Sequence, residues 1–117
     1  MEIKMADIKD AEEILILQKK AYKQEAELYN NYSIQPLTMT IEETRDDFKN
    51  HVILKAVESG SITGSVRAYE KDGTCYVDKV IVDPACQNTG KGTAIMKELE
   101  KYFPACRRFE LYTGYRS

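Results

Sequence analysis

The chain has 117 residues, 31% of them charged and 43% hydrophobic, with a formal net charge of −2. That length suits one domain, spanning 1–117, with a modest core. The balance gives no basic surplus for nucleic acid, and the longest apolar run, Ile14–Leu17, is far too short to cross a membrane.

In chain order, Glu2–Ala6 alternates and reads as a short first strand. Asp7 is placed to cap a helix, with Asp10 in its first turn. Ile8, Ala11, Ile14, Leu15, Gln18, Ala21 and Tyr22 recur at spacings of three and four, which predicts an amphipathic helix reaching Leu28 or Tyr29. The run Asn30–Pro36 breaks it. Thr40 with Glu43 forms a capping box for a second helix that puts Ile41, Thr44 and Phe48 on one face and ends near Asn50.

His51–Glu58 predicts a strand with Val52, Leu54 and Ala56 on one face and Ile53 and Val57 on the other. Ser59-Gly60-Ser61 is a turn. Ile62–Glu70 alternates next, with Ile62, Val66 and Ala68 expected on one face and Arg67 and Tyr69 on the other. Asp72-Gly73 favours a tight hairpin into Thr74–Val82. These three strands form an antiparallel meander. Thr93–Phe103 predicts a helix buried along Ala94, Ile95, Leu99 and Tyr102, with Pro104 beyond its end. Arg108–Thr113 is a last strand, parallel to Thr74–Val82 by a right-handed crossover. The fold class is α+β.

The segment before that last helix carries the chemistry. Residues 82–93 read Val-Asp-Pro-Ala-Cys-Gln-Asn-Thr-Gly-Lys-Gly-Thr. A strand ends, a short polar loop follows, and two glycines one residue apart open a helix. Such a loop turns backbone N–H groups toward one point at the positive end of a helix dipole, which suits a pyrophosphate. Gly90 and Gly92 leave no Cβ in the way. Lys91 adds a cation and Thr89 a hydroxyl.

The spacing Gln87-x-x-Gly90-x-Gly92 after Val82-Asp83-Pro84 resembles the acetyl-CoA loop of the GNAT superfamily of N-acetyltransferases, and the order of elements agrees over nearly the whole chain. The resemblance implies a mixed, mostly antiparallel sheet flanked by helices. It also implies an acetyl-CoA-dependent N-acetyltransferase that moves the acetyl group to a primary amine of a small molecule or peptide by direct attack in a ternary complex, with no metal. By resemblance, the acyl-pantetheine arm pairs with the backbone of Val80, Ile81 and Val82. The pyrophosphate meets Gln87, Asn88, Thr89, Gly90, Lys91, Gly92 and Thr93.

The proton acceptor departs from the pattern. The position where one branch of the family has an acid holds Tyr76. Asp78, two residues on and on the same face under strict alternation, is the preferred base. Glu70 is a weaker candidate. Tyr29, Tyr32 and Tyr69 are candidates for lining an acceptor pocket. Family members continue past a segment like Leu111–Gly114 into a helix and two strands that carry an asparagine for the cofactor and a tyrosine for the departing thiolate. Neither is assignable here. The sequence therefore leads us to expect a fold lacking the last helix and strand pair. We also expect self-association through the edge of the last strand, as a homodimer or more loosely, and poor turnover.

Two other readings compete. A truncated CoA-binding module with little or no activity shares every loop feature. A nucleotide kinase would explain Gly90-Lys91-Gly92-Thr93, but a Walker loop needs a glycine where Ala85 stands. Cys75, Cys86 and Cys106 are odd in number and lack metal spacing, the pattern of reduced cytoplasmic thiols. Cys86, just before a helix N-terminus, reads as an incidental thiol rather than a nucleophile. With His51 the only histidine, a zinc site or a histidine-based triad is not expected.

Overall fold

Two apolar clusters lie on opposite faces of one five-stranded sheet, and the two-residue period of each strand sorts side chains between them. The computed structural model describes residues 1–86 and 89–111, apart from the side chains of Glu25 and Tyr29. The strands are β1 (Glu2–Met5), β2 (Val52–Glu58), β3 (Ser61–Lys71), β4 (Thr74–Val82) and β5 (Arg108–Leu111). They stand in sheet order β1-β2-β3-β4-β5. The first three pairings are antiparallel and β4–β5 is parallel. Helices α1 (Ala11–Tyr29), α2 (Gln35–Thr38) and α3 (Ile41–Asn50) come before the meander, and α4 (Lys91–Glu100) links β4 to β5. The expected mixed α+β architecture, mostly antiparallel and flanked by helices, is what forms.

Local chemistry accounts for most boundaries. The Asp7 side chain accepts from the Lys9 amide and Asp10 reaches back to the Asp7 amide at 2.9 Å, capping a 3-10 turn that leads into α1. Asn30 ends α1 in the left-handed conformation, φ 53°. Thr40 and Glu43 form the expected capping box of α3. The short helix α2 is not expected from sequence, where Pro36 reads as a breaker. Proline is tolerated in a first helical turn because its missing N–H would lack an intrahelical partner there anyway.

On one face, Leu54, Val66, Ala68 and Val77 pack against Ile95, Leu99 and Phe103, in and just beyond α4. Burying each large side chain there contributes roughly 1.5–3 kcal/mol. On the other face, Ile53, Ile62 and Ile81 pack against Ile14 and Leu17 of α1. The α4 stripe runs at spacings of four, so Phe103 is buried and Tyr102, expected in the core, is exposed.

Two bulges break the alternation that the sequence suggests. Ala56 pairs with Gly64 but Val57 with Ile62, so Thr63 is the extra residue in β3. Ile62 therefore lies in the α1 cluster, opposite Val66 and Ala68, and the expected common face is corrected. Arg67 pairs with Lys79 but Ala68 with Val77, so Asp78 is the extra residue in β4. Cys75 and Val77 face α4 while Ile81 faces α1, although all three are odd-numbered.

Candidate functional site

The loop from β4 to α4 opens at Asp83. Its amide donates to the Thr63 carbonyl at the β3 bulge, 2.8 Å, and its carboxylate accepts from the Ala85 amide, 2.9 Å. Lys20 of α1 pairs with it at 3.2 Å. The Ala85 amide, with Lys20, holds the Asp83 carboxyl below its ordinary range despite partial burial. The Cys86 amide closes a 3-10 turn on the Asp83 carbonyl at 2.7 Å, and the Thr89 hydroxyl donates to the Cys86 carbonyl. The loop is thus tied at both ends before α4 begins.

Gly90 is the residue before α4, with φ 81°, a conformation that side chains other than glycine rarely adopt. Among the described residues no side chain caps this helix start, and the Ala94 amide bonds back to the Gly90 carbonyl at 3.0 Å. The amides of the first turn therefore present donors at the positive end of the dipole. They border a cleft of about 390 Å³ lined by Val80, Val82, Cys86, Gly90, Lys91, Gly92 and Thr93. A Cβ added to Gly90 would meet nothing within 4 Å, and one on Gly92 only Val82 Cγ2 at 3.9 Å, so both glycines face open space. The structure brings together seven lining residues that the loop motif and its strand singled out or bracketed. Gln87 and Asn88 lie outside the described residues. The Lys91 ammonium is held by Glu58 of β2 at 3.1 Å. Ile81 turns its side chain away, into the α1 cluster.

β4 pairs with β5 only from Thr74 to Val77. Beyond Val77, the edge of β4 that faces β5 has no registered partner among the described residues, and this stretch includes Val80, Ile81 and Val82. The Asp78 bulge sits where pairing stops.

On the α1–α3 side of that bulge lies a group the sequence reading assembled only in part. Tyr69 and Tyr76 stack with centroids 5.3 Å apart. The His51 ring meets Tyr69 edge to face at 5.4 Å. Asp78 Oδ2 lies 3.2 Å from Lys79 Nζ and 3.7 Å from His51 Nε2. Strict alternation, the premise for placing Asp78 beside Tyr76, does not hold, yet the bulge still brings the carboxylate to this cluster. Glu70 is elsewhere: it pairs across the sheet with Cys75, whose side chain faces α4, and burial together with the Glu70 carboxylate pushes the Cys106 thiol up. Tyr32 is exposed after α1. The side chain of Tyr29 lies outside what is described.

Beneath this cluster Arg67 is fully buried. Its guanidinium donates to Asp47 Oδ2 at 2.9 Å and to Gln18 Oε1 at 2.8 Å. Burial pulls its pKa below the ordinary value against the attraction of Asp47. Sequence reasoning missed Arg67, His51 and Lys79, because their roles come from packing between α3, β3 and β4 and not from any spacing.

A family model described as the acetyltransferase (GNAT) family matches residues 11–115. Solved structures share the fold. The PaiA N-acetyltransferase of Thermoplasma acidophilum, in complex with coenzyme A, is 14% identical with a TM-score of 0.74, covering 89% of this chain and 73% of that one. A GNAT-family acetyltransferase from Brucella melitensis, in complex with acetyl-CoA, is 24% identical with a TM-score of 0.71, covering 88% and 68%. An aminoglycoside 6'-N-acetyltransferase complexed with coenzyme A is 16% identical with a TM-score of 0.72, covering 95% and 61%. No curated protein sequence matches.

Proposed function

Because the chain belongs to the acetyltransferase (GNAT) family, we propose that it transfers the acetyl group of acetyl-CoA to a primary amine by direct attack in a ternary complex. The observation that carries this reading is the start of α4 behind Gly90, uncapped among the described residues, bordering an open cleft beside the stretch of β4 that has no registered β5 partner among them. Structures of the same fold hold coenzyme A or acetyl-CoA.

In this reading the amides of Lys91, Gly92 and Thr93, with the loop residues Gln87, Asn88, Thr89 and Gly90, hold the pyrophosphate. A hydrogen bond to a charged group contributes roughly 1.5–3 kcal/mol, so a few of them anchor the cosubstrate. The edge of β4 at Val80, Ile81 and Val82 pairs with the pantetheine arm, and backbone donors preorganised there face the oxyanion that develops on the thioester. The acceptor amine approaches from the α1–α3 side, where Tyr69 and Tyr76 offer an aromatic wall and Asp78 a carboxylate. Asp78 takes the ammonium proton. The acceptor is an amine-bearing small molecule or peptide. We further propose that 1–117 acts as a single domain and that copies associate through the outer edge of β5, where Leu111 is exposed.

Calorimetric titration with acetyl-CoA, followed by mass spectrometry of products from a panel of amines, tests the reading. Binding with an acetylated product is expected. Absence of binding overturns it, and binding without any product reduces the chain to a CoA-binding module.

A further inference from the structure

His51 is the chain's only histidine, and it sits between the end of α3 and the start of β2. Its Nδ1 lies 3.2 Å from the carbonyl oxygen of Asp47. That oxygen only accepts, so the tautomer that serves this contact carries its proton on Nδ1 and turns the Nε2 lone pair toward Asp78. Nε2 is 3.7 Å from Asp78 Oδ2, and the imidazole is 13% exposed against 34% for the Asp78 side chain. The carboxylate is the member open to an incoming molecule, and the ring stands behind it.

We propose that Asp78 and His51 form a two-member proton path for the acceptor amine, with Asp78 meeting the ammonium and His51 Nε2 holding the proton during attack. This rests on the reading of the chain as an amine acetyltransferase. An alkyl ammonium ordinarily titrates near about 10.4, an imidazole near about 6.5 and a carboxylate near about 3.9. An imidazole is therefore the better matched proton store at neutral pH, while the carboxylate is the better placed contact.

In the step, an N–H bond of the ammonium breaks, the proton crosses the Asp78 carboxylate, and an Nε2–H bond forms. The electron pair left on nitrogen attacks the thioester carbonyl carbon. On collapse the carbon–sulfur bond breaks, the thiolate takes the proton shed by the acylated nitrogen, and His51 releases its own to solvent. The imidazolium is accommodated on both sides, since Nδ1 donates to the Asp47 carbonyl and Nε2 faces an anion.

The surrounding groups keep that anion in place. Lys79 of β4 pairs with Asp78 at 3.2 Å, and Arg67 of β3 pairs with Asp47 of α3 at 2.9 Å. Tyr69 of β3 walls one side of the ring and stacks on Tyr76 of β4. Tyr22 of α1 acts on Arg67. His51 is thus a positioning residue that acts through Asp78.

With one histidine, the ring resonances in a heteronuclear NMR titration are unambiguous. Asp78→Asn is expected to shift the ring nitrogen resonances, because the carboxylate faces Nε2 at 3.7 Å. His51→Asn keeps a donor for the Asp47 carbonyl and removes Nε2. It is expected to cut kcat about 100-fold, to leave the KM for acetyl-CoA in place, and to change the shape of the pH–rate profile. The acceptor probe is a mixture of 1,4-diaminobutane, an alanine-terminated peptide and an aminoglycoside. Ring resonances indifferent to Asp78→Asn, or a His51→Asn variant with the wild-type profile, overturn the path. Acetyl-CoA calorimetry on the same proteins separates the two levels. Retained binding with an indifferent ring sinks the path alone, whereas a wild-type chain that binds no acetyl-CoA sinks both.

Discussion

Single residues at the start of α4 decide whether a ligand can approach the backbone. Gly90 needs its left-handed φ of 81°, so valine there strains the loop and also fills the cleft. Gly92 has no such constraint, and its Cβ would meet only Val82 Cγ2 at 3.9 Å. Gly92→Val is therefore expected to leave the far-ultraviolet circular dichroism unchanged and to abolish acetyl-CoA binding in a calorimetric titration. Unchanged affinity in both valine variants would remove the loop from the site. Lys91 has a different part, since its ammonium is paired with Glu58. Its truncation is expected to weaken binding less than either valine. At the bulge, Asp78→Asn is expected to lower turnover with little change in cosubstrate affinity. Wild-type turnover in that variant would leave proton removal to another group.

At the scale of elements, α4 is seated on the sheet by one glycine the sequence does not single out. A Cβ on Gly64 of β3 would fall 2.6 Å from Ile95 Cδ1 and 3.2 Å from the Ile81 carbonyl oxygen. Ile95 is fully buried and has little room to retreat. Gly64→Ala is expected to destabilise the fold by roughly 1–3 kcal/mol in a denaturant titration, the usual cost of overpacking. Stability equal to wild type would show that α4 moves outward at no cost. The capping box of α3 is a milder support, and Thr40→Ala is expected to cost about 0.5–2 kcal/mol.

For the molecule as a whole, the response to acid follows from carboxylates that tie helices to the sheet. Burial raises the Asp10 pKa, but the Lys55 ammonium at 2.8 Å and the Asp7 amide outweigh it, so its folded value lies below the ordinary one. Asp83 is lowered likewise. A depressed carboxylate contributes stability above its unfolded pKa of about 3.9 and loses it as the pH falls through the lower folded value. The melting temperature of Asp10→Asn is expected to lie below wild type at pH 7, with the gap closing under acid. A gap that persists below the carboxylate range would show that the ion pair is not its source. The outer edge of β5 belongs to this scale too: sedimentation is expected to show a species larger than one chain, and a monomer at all concentrations would sink the edge contact.

The sequence by itself determined the order of strands and helices apart from the short α2, the cap at Asp7, the Thr40–Glu43 capping box, the hairpin turns, the parallel crossover and the glycine loop. Each depends on neighbours within a few residues: a cap three positions away, a period of two or 3.6, a glycine where φ must be positive. It also carried the family resemblance, whose most specific part lies in one contiguous loop. The tertiary structure alone decided which faces meet. The extra residues Thr63 and Asp78 appear only when one strand's register is laid against another's, and each reverses the side-chain pattern after it. The same is true of the meeting of His51 with Tyr69, Tyr76 and Asp78, which come from two strands, β3 and β4, and one helix end. Alternation and the family resemblance single out Tyr69, Tyr76 and Asp78, but nothing local marks His51 or the contact itself, since a cross-strand contact costs the sequence no motif and is fixed by the packing of α3 and the sheet.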